Sequence, residues 1–431
     1  MLSESIKKHK TEYLLVSFVD LFGVIRSKLI PASKAKEAEK AGAGFAGFAA
    51  HLNLTPAHPD IFLMPDAKTF TPMAWQPNVA WITGDLYMDG ELIDHAPRTV
   101  LKRAMAAAAK KRVTMMTGVE AEFFLLAPDG SRISDEYDQL SKPCYDQLAL
   151  MRRFDFIKEV CDAMQGLGWE PYQNDHEDAN GQYEMNWHYS SALETADRHV
   201  FFRFLTKSIA EKHGLRVSFM PKPFTSLTGN GCHTHCSLWD ASGKKNLFLD
   251  KNNSHQLSEK AYQFIAGVLH HAPALSALTN PTVNSFKRLN AKTPDSGATW
   301  SPNGISYGGN NRTHMIRIPD AGRFELRLPD GAANPYLLQA GILTAGMDGI
   351  ENKMDPGVPR HENMYDVFTK LKVKKLPATL YDALAALEKN HVFKTTLGDG
   401  FVDSYLKLKR EDWSRYMSQV SEWERQSTLD C

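Results

Sequence analysis

The sequence predicts an α+β protein with two domains, a small amino-terminal sheet domain over residues 1–98 and a larger domain over residues 99–431. Three observations predict this division. Three short strand-like segments lie within the first 83 residues, Pro97 then begins a helix rich in alanine and lysine, and helical patterns dominate after residue 329. A chain of 431 residues is long enough for two domains and a large core.

The first domain is predicted to begin with two short strands, over residues 11–18 and 24–30, around a turn at residues 20–23. Residues 41–50 contain three glycines among alanines and phenylalanines, a composition typical of a flexible linker or a loop after a helix. A proline-rich stretch follows, and then a strand near residues 79–83. The helix that opens the second domain covers residues 99–111.

The next segment, residues 117–127, reads as a buried strand that carries two acids. Side chains alternate along a strand, so Glu120 and Glu122 face the same side. Burying two neighbouring carboxylates costs several kcal/mol each unless a positive group compensates them. A metal site is the functional interpretation, and a surface strand whose acids pair with lysines is the alternative.

Two further acids flank a predicted hairpin, which follows a predicted helix at residues 154–165. Asn180 and Gly181 are typical of a two-residue hairpin turn, which would place Glu177 opposite Glu184. Like charges directly opposite each other destabilise a sheet unless a cation lies between them. An exposed acidic turn is the alternative interpretation.

Two further strands carry polar side chains on one face. His233 and His235 share a face that excludes Cys232 and Cys236, so a zinc site with mixed ligands is not expected, although buried structural histidines remain the alternative. The strand at residues 323–327 presents Arg323, Glu325 and Arg327 on one face. Together these faces predict a polar cleft.

The polar loop over residues 290–309 has the length of an active-site lid. Helices are expected beyond it, at residues 342–350, 380–389 and 403–426. The last of these carries Trp413, Tyr416 and Trp423, which suit packing or an oligomer contact.

Composition excludes several classes of partner. Lys plus Arg and Asp plus Glu both number 50, so no basic field attracts nucleic acid. The first ten residues are polar, and the sequence contains no apolar run of the roughly 20 residues that cross a bilayer, so we expect a cytoplasmic protein without a membrane partner. Five scattered cysteines indicate reduced thiols.

The predicted cleft suits phosphoryl transfer. Its ligands are mostly carboxylate oxygens, which favour Mg²⁺ or Mn²⁺, and five acids indicate two or more ions. Arginines that can bind phosphates or carboxylates lie in the same third of the chain, at Arg288, Arg312, Arg317, Arg323 and Arg327. Divalent ions with an arginine cluster are the equipment of phosphoryl transfer, although neither a P-loop nor a Gly-x-Gly-x-x-Gly motif is present.

Six segments resemble, in order and spacing, the signatures of the glutamine synthetase family: residues 118–126, 176–185, 219–223 with 231–238, 284–289, 311–319 and 323–337. The resemblance covers nearly the whole chain. It implies an amino-terminal β-grasp domain and a catalytic domain built on a curved antiparallel sheet flanked by helices. It also implies a homo-oligomer, a dodecamer of two stacked hexameric rings, with active sites between neighbouring subunits.

The resemblance also implies roles for individual residues. One metal site would comprise Glu122, Glu177 and Glu184, and the other Glu120, His233 and Glu325. Positions that hold the substrate glutamate match Gly229, Arg288 and Arg327. Positions around ATP and its phosphates match His235, Ser237, Arg312, Arg317 and Arg323, with Arg312 also expected to be catalytic. The family reaction phosphorylates the side-chain carboxylate of glutamate, and a nitrogen nucleophile then displaces phosphate.

Two departures from the family pattern concern the ammonium site. The glycine-rich loop of ammonia-using members carries an aspartate where this chain has Ala46, within Gly44–Ala49. The lid of the family carries a glutamate, whereas residues 290–312 here contain only Asp295 as an acid. Both acids that would bind ammonium are therefore altered.

We therefore hypothesise that the nucleophile is methylamine and the product γ-glutamylmethylamide, made by an ADP-forming glutamate–amine ligase. Phe48 or Trp300 would contact the methyl group, and a proton acceptor would be one of Tyr145, Asp146, Glu177 and Asp295. An ammonia-dependent glutamine synthetase is the first alternative, and a noncatalytic family member is the second. A polyamine ligase is disfavoured because acids for a distal ammonium are not evident. Tyr365 lies near a position that is adenylylated in some relatives, although a packed or exposed tyrosine is the simpler interpretation.

Overall fold

The amino-terminal part of the computed structural model, which describes residues 2–367 and 373–431, is built on one sheet. Its elements are α1 (Leu2–His9), β1 (Tyr13–Val19), β2 (Ile25–Pro31), α2 (Ala35–Ala41), β3 (Ala43–Phe45), β4 (Ile61–Pro65), β5 (Thr71–Pro72), β6 (Val79–Met88) and β7 (Glu91–Leu92). The strand order is β2-β1-β6-β4-β3, with β5 and β7 also paired to β6. Strands β1 and β6 are parallel, and the other pairs are antiparallel.

Alternating apolar residues of these strands form a separate small core. Leu14, Val16 and Phe18 of β1 pack with Leu63 of β4 and Ile82 of β6, and all five are buried. The predicted strands at residues 11–18, 24–30 and 79–83 are confirmed. The glycine-rich stretch is not a linker, because β3 and a short 3₁₀ turn at residues 47–49 pair and pack it against β4. The domain division at residue 98 stays a prediction.

The larger part of the chain alternates strands and helices. Its first half comprises α3 (Pro97–Lys110), β8 (Val113–Ala121), β9 (Phe123–Leu126), α4 (Gln147–Arg152), α5 (Phe154–Gly166), β10 (Pro171–His176), β11 (Gln182–Trp187), β12 (Ser190–Ser191), α6 (Ala192–Lys212), β13 (Arg216–Ser218) and β14 (Cys232–Asp240). Its second half comprises α7 (Glu259–Thr279), α8 (Val283–Leu289), β15 (Tyr307–Gly308), β16 (Ile316–Arg317), β17 (Phe324–Leu326), α9 (Pro335–Glu351), α10 (Met364–Val367), α11 (Leu380–Glu388), α12 (His391–Leu397), α13 (Asp399–Met417) and α14 (Glu422–Thr428).

These strands form two sheets that together make a curved surface. One sheet has the order β10-β11-β9-β13, and the other has the order β12-β8-β14-β17-β16-β15. All pairs are antiparallel except β15 with β16. Helices α3, α6 and α7 pack against α9, α3 and α6 also pack against β8, and together they bury a large apolar core around Phe201, Phe264 and Leu337. The α+β fold class with a curved antiparallel sheet is thus confirmed.

The acidic strand differs from the prediction, because it is two strands rather than one. β8 ends at Ala121 and β9 begins at Phe123, so the chain passes from one sheet to the other at Glu122. Glu122 is held at this step by three hydrogen bonds, one of them from Gln182 Nε2 to Glu122 Oε2 (3.1 Å). Its N–H donates to Gly231 O (3.2 Å), and its Oε2 accepts from the Gly231 N–H (2.6 Å).

The hairpin also differs, and the expected pairing of Glu177 with Glu184 is wrong. Asp175 stands opposite Glu184, and residues 177–181 form a longer loop. The buried carboxylate of Asp138 fixes this loop, accepting hydrogen bonds from Gly181 N–H (2.6 Å) and Asn180 Nδ2 (2.8 Å). Gly181 has φ +71°, a conformation that suits glycine.

The carboxyl-terminal helix was predicted as one helix and is two, α13 and α14, because the chain leaves the helix after Met417. Ser421 then caps a new helix with a reciprocal pair of hydrogen bonds with Glu424. Within residues 2–367 and 373–431, no helix is long and apolar enough to cross a bilayer.

Candidate active site

A cluster of carboxylates around one histidine lies where the two sheets meet. Pairing of β8 with β14 sets His233 opposite Glu120, and pairing of β14 with β17 brings Glu325 beside them. His233 Nδ1 is 3.5 Å from Glu120 Oε2, 3.6 Å from Glu325 Oε1 and 3.7 Å from Glu122 Oε1. Ligand atoms of Glu120, His233 and Glu325 all lie within 4.8 Å of one another, the distance at which one ion can bind all three.

A second group of carboxylates adjoins the first. Ligand atoms of Glu122, Glu184 and His233 form one set within 4.8 Å, and those of Asp175, Glu177 and Glu184 form another. Glu184 belongs to both sets, so the predicted trio of Glu122, Glu177 and Glu184 is divided between them. Asp175 was missed by the sequence reasoning, although it lies two residues before Glu177 and directly opposite Glu184.

Unbalanced negative charge marks the second group. Burial, followed by the charges of neighbouring carboxylates, raises the pKa of Glu177 and of Glu184 well above the usual range. A divalent ion would relieve this repulsion. His233 Nε2 is also buried without a hydrogen-bond partner. The donor set of carboxylates with one histidine therefore fits hard divalent ions such as Mg²⁺ or Mn²⁺.

The first group is more nearly balanced. Burial opposes ionisation of Glu120, but hydrogen bonds with His233 and His235 outweigh it and lower the pKa of Glu120. Glu325 is fully buried and accepts from Arg327 Nη1 (2.5 Å) and Arg317 Nη1 (2.7 Å). Burial again opposes ionisation, and the charges of Arg327 and His233 lower the pKa of Glu325.

Two buried arginines present unused donors beside this cluster. Arg288 donates to Leu328 O (3.1 Å) and Arg327 donates to Glu325, yet the Nε atoms of both arginines have no hydrogen-bond partner. Buried donors without partners are uncommon in folded proteins. Two of them at adjacent guanidiniums indicate a site for an anionic ligand.

Two glycines keep this site open. A Cβ atom at Gly229 would lie 2.3 Å from Pro221 O, so the backbone can come this close only without a side chain. A Cβ atom at Gly231 would lie 2.7 Å from His233 Nε2 and 2.9 Å from Glu122 Oε1. Gly231 was not selected from the sequence as a site residue.

The predicted lid, residues 290–309, lies against the arginines. Trp300 O accepts from Arg327 Nη2 (3.3 Å), and Ser301 Oγ donates to Arg288 O (3.1 Å). The indole N–H of Trp300 is buried without a partner, and Trp300 adopts φ +53°. Backbone strain of this kind is common where a loop closes a ligand site.

Asp178 is a buried acid that sequence reasoning missed, and it links the lid to the carboxylate cluster. Its Oδ2 accepts hydrogen bonds from Ser296 Oγ of the lid (2.5 Å) and from Thr228 Oγ1 (2.8 Å). It directly follows Glu177, and its position was hidden by the assumption of a two-residue hairpin turn. The lid has no glutamate of its own, and Asp178 brings a carboxylate from another segment against it.

A cavity of about 330 Å³ opens on the other side of Glu120. Three predicted nucleotide-site residues, His235, Ser237 and Arg323, line it, and Arg323 Nη1 lies 2.7 Å from His235 Nδ1. Aromatic residues that the sequence reasoning did not select complete the wall. They are Tyr172, Trp187, Tyr189 and Trp239. The rings of Tyr189 and Trp239 are inclined by 29° with centroids 6.4 Å apart.

Other predicted residues lie at the edge of the cluster. Arg317 reaches it through Glu325, whereas Arg312 is exposed and lines a separate cavity with Trp300. Tyr145 lies beside the carboxylate cluster. Its N–H donates to His176 O (2.9 Å), and its side chain is largely exposed. Asp146 caps α4 through Leu148 and Ala149, which commits its carboxylate to the helix.

Three predicted residues are not brought into the cluster within this subunit. Asp295 is exposed in the wall of another cavity, with Lys222 and Trp413. Ala46 and Phe48 are exposed on the amino-terminal part. In the described part of the chain no hydrogen bond or ring contact joins residues 44–49 to the carboxylates.

Tyr365 faces inward. Its hydroxyl is buried, and burial raises its pKa while the charges of Arg327 and Arg288 act in the opposite direction. This placement agrees with a packed tyrosine and puts the phenol near the two substrate-site arginines.

Comparison with known proteins supplies the family context. A family model described as the catalytic domain of glutamine synthetase matches residues 94–428. A glutamine synthetase from Rhizobium leguminosarum bv. phaseoli is 55% identical over 420 residues, covering 97% of each chain. A glutamate–methylamine ligase from Methyloversatilis universalis is 43% identical over 435 residues, covering 99% of this chain and 98% of the relative. A solved structure of GmaS, gamma-glutamylmethylamide synthetase, with ADP is 55% identical and has a TM-score of 0.97, covering all of both chains.

Proposed function

The chain belongs to the glutamine synthetase family of ligases, and from this membership we propose that it joins the γ-carboxylate of L-glutamate to methylamine. The reaction consumes ATP, passes through γ-glutamyl phosphate and yields γ-glutamylmethylamide, ADP and phosphate. The family acts on glutamate, ATP and an amine or ammonium, and uses divalent metals. The proposal concerns which nitrogen nucleophile this chain selects.

Ala46 carries the choice of methylamine. An aspartate at this position would offer an ammonium ion a charge-assisted hydrogen bond of about 1.5–3 kcal/mol, and alanine offers none. Loss of the acid weakens capture of every ammonium ion, but only methylamine gains about 0.8 kcal/mol from burying its methyl group. This difference favours methylamine by about fourfold or more. The similarity to GmaS and to a glutamate–methylamine ligase supports the same choice.

In this proposal the two carboxylate groups hold two or more divalent ions. Glu120, His233 and Glu325 would bind one, and Glu184 with its neighbours Glu122 and Glu177 would bind another. Bound ions would neutralise the phosphates and the developing charge of phosphoryl transfer. Burial of Glu325 and its two arginine contacts hold its carboxylate in one position for this role.

Glutamate and ATP would bind on opposite sides of the carboxylate cluster. Arg288 and Arg327 have free Nε donors for the carboxylates of glutamate, and the backbone of Gly229 lies beside Arg288. The cavity with His235, Ser237 and Arg323 would take the nucleotide, and the aromatic pair Tyr189 and Trp239 offers a surface on which a base can stack. Arg312 and Arg317 would act on the phosphates.

The group that accepts the proton of the amine is proposed to be Asp178. Of the four acceptors expected from sequence, Asp146 caps a helix, Asp295 lies in another cavity, Tyr145 is exposed and Glu177 belongs to the metal cluster. Asp178 is 7% exposed and touches the lid, and only its Oδ2 is used by described hydrogen bonds. Its Oδ1 is therefore available to an amine held under the lid.

We further propose that a neighbouring subunit completes the amine site in a dodecamer of two stacked rings. Phe48 is 52% exposed, unusual for a phenylalanine on a compact domain, and Ala46 beside it is exposed as well. An intersubunit contact would cover this surface and bring both side chains to the lid of the next subunit. Trp300 would then meet the methyl group from the opposite side.

The test is phosphate release from ATP with saturating glutamate and a series of amines. We expect kcat/KM to be higher for methylamine than for ammonium. For ethylamine we expect kcat/KM to be lower than for methylamine, because its extra carbon must also fit under the lid. Ala46→Asp should move the ratio towards ammonium, whereas Ala57→Asp, in an exposed turn of the same domain, should leave it unchanged. A wild-type preference for ammonium would overturn the proposal.

An ammonia-dependent glutamine synthetase is the second candidate. It is favoured by the name of the Rhizobium leguminosarum bv. phaseoli relative, which is 55% identical over nearly all of the chain. The same amine series separates the two candidates.

A further inference from the structure

A second charged cavity, of about 520 Å³, lies behind the segment at residues 219–221. Three cationic side chains line it, Arg203 and Lys207 from α6 and Arg216 from β13, and we call it the basic cavity. Glu211 is the one acidic residue in its wall. None of the residues proposed above for metals, glutamate, amine or ATP lines it.

The three cations lack acidic partners. Arg203 is half-buried, and Lys207 and Arg216 are exposed at the mouth of the cavity. Within residues 2–367 and 373–431, no carboxylate oxygen lies within 4 Å of these three cations, whereas the buried Arg98 and Arg327 both have acidic partners. Arg203 donates to Ala333 O (3.3 Å). The remaining compensation comes from the ring of Phe219, whose centroid is 5.4 Å from the Arg203 guanidinium and 5.9 Å from the Lys207 ammonium.

Mutual repulsion is one cause of a lowered pKa at Lys207. Partial loss of water around its ammonium, and then the positive charges of Arg203 and Arg216, lower the pKa of Lys207. Burial likewise lowers the pKa of Arg203. Water screens part of this repulsion because Lys207 and Arg216 are exposed, and an anion bound between the three cations would relieve the rest.

We propose that the basic cavity binds a small dianion, such as a phosphate or a dicarboxylate. Two guanidiniums can each donate a pair of hydrogen bonds to oxygens of such an anion, and the ammonium adds a third positive charge. The cavity volume admits a phosphate, a dicarboxylate or a small phosphorylated metabolite.

Two segments of the cavity wall are linked by hydrogen bonds to the segments that carry the proposed glutamate site, so an anion in the basic cavity would regulate glutamate binding. Pro221 O accepts from the Asn230 N–H (2.8 Å), and Asn230 follows Gly229. Asn284, which also lines the cavity, exchanges hydrogen bonds with the backbone of Lys222 (2.7 and 3.0 Å) at the start of α8, the helix that carries Arg288. An anion that orders these two segments changes glutamate affinity. This coupling rests on the proposed glutamate site, whereas anion binding does not.

The test is equilibrium dialysis of the full-length protein with radiolabelled sulfate, in saturating Mg²⁺, ADP and glutamate so that the active site is occupied. We expect one saturable site per chain, with affinity at least about tenfold lower in Lys207→Gln/Arg216→Gln because two of three cations are lost. Lys212→Gln is the matched control, since Lys212 lies on the same helix and already pairs with Glu159. Unchanged binding in the double variant, or no saturable site in the wild type, would overturn the proposal.

Competition then identifies the source of the anion. Displacement of sulfate by phosphate indicates a phosphate-type ligand, and displacement by succinate indicates a dicarboxylate, whereas displacement by neither contradicts a dianion site. Sulfate should also shift the KM for glutamate at fixed ionic strength in the wild type and the Lys212→Gln variant only. Dialysis does not depend on amine preference, so failure of the proposed function leaves the binding result readable.

Discussion

Glu325 is the residue on which the charged contacts of the active site converge. Its fully buried carboxylate receives Arg317 and Arg327 at 2.7 and 2.5 Å and stands 3.6 Å from His233. A buried charge with this many partners is costly to remove, because each partner loses its compensation.

We expect Glu325→Gln to lower the free energy of unfolding by about 3–5 kcal/mol, because it leaves buried arginines without a counter-charge. The variant should also bind Mg²⁺ more weakly, measured by thermal shift against metal concentration. Glu388→Gln is the control, because Glu388 pairs with Arg410 at the surface and should change stability by about 1 kcal/mol or less. Equal losses in both variants would contradict this account.

His199 makes stability depend on pH. It is buried on α6 with neither ring nitrogen bonded, and burial, then the charge of Arg203, lowers its pKa to about 3. The unfolded chain binds a proton at this histidine below its ordinary pKa of about 6.5, whereas the native chain does not. Stability is therefore complete above that pH and is lost as the pH falls towards 3.

From this difference we expect the wild type to lose about 2 kcal/mol of stability by pH 5 through His199 alone. His199→Leu should show a smaller fall in Tm between pH 7 and 5, and His391→Leu, at an exposed position, should behave as the wild type. An equal fall in Tm between pH 7 and 5 in His199→Leu and the wild type would contradict this explanation.

Sequence alone identified several residues that the structure brings together. Glu120, His233 and Glu325 were found because side chains alternate along a strand, and this alternation can be read from neighbouring residues alone. Asp178, Gly231 and the aromatic wall of the nucleotide cavity were not found. Their roles depend on contacts between segments 50 to 120 residues apart, such as Asp178 with Ser296, which no local pattern encodes.

At the scale of elements, the lid is the least regular part of the site and is closed in this structure. It is fastened through Ser296 to Asp178, through Trp300 to Arg327 and through Ser301 to Arg288. Its length predicted a lid, but its anchor could not be predicted, because the turn around Asp178 is set by Asp138, about 40 residues earlier. The buried contacts of Asp138 with Asn180 and Gly181 therefore set the conformation of this loop, in place of the two-residue turn that Asn180 and Gly181 favour locally.

Asp178→Asn tests the lid anchor as the proton acceptor. The change keeps the hydrogen-bonding shape but removes the base, so we expect kcat with methylamine to fall by about 10²- to 10⁴-fold. Activity with hydroxylamine, which is uncharged at neutral pH and needs no prior deprotonation, should be retained. Ser296→Ala, which keeps the carboxylate, should lower kcat with methylamine far less than Asp178→Asn. Equal losses with both nucleophiles would assign Asp178 a structural role only.

At the scale of the whole molecule, the amino-terminal sheet joins the larger part of the chain through several polar contacts, among them the ion pairs of Arg98 in α3 with Asp66 and Asp85. Asn334 Nδ2 donates to Asp20 O (2.9 Å), and Asn53 Nδ2 donates to Ser404 Oγ (3.1 Å). The periodicity of apolar residues predicted both the strands and the helices of the fold, because each element must bury one of its faces and this requirement sets a regular spacing along the chain. The passage from one sheet to the other at Glu122 could not be predicted, since a continuous apolar run has the same pattern in one strand or two.

Mixed oligomers test whether neighbouring subunits share each active site. Glu325→Gln inactivates the carboxylate cluster by removing one of its proposed metal ligands, and Ala46→Arg blocks the amine loop with a cation at an exposed position. If each site takes its cluster from one subunit and its loop from the next, subunits mixed one to one should recover about a quarter of wild-type activity. Activity no higher than that of either parent would show that each subunit builds its own site.

A direct competition between the two amines measures which nucleophile the enzyme selects. The wild-type protein would receive methylamine and ¹⁵N-ammonium together at equal concentration, with ATP, Mg²⁺ and glutamate. The ratio of γ-glutamylmethylamide to labelled glutamine, read by mass spectrometry at low conversion, equals the ratio of the two kcat/KM values. We predict an excess of γ-glutamylmethylamide of about fourfold or more. An excess of labelled glutamine would contradict the assignment and leave an ammonia-dependent enzyme.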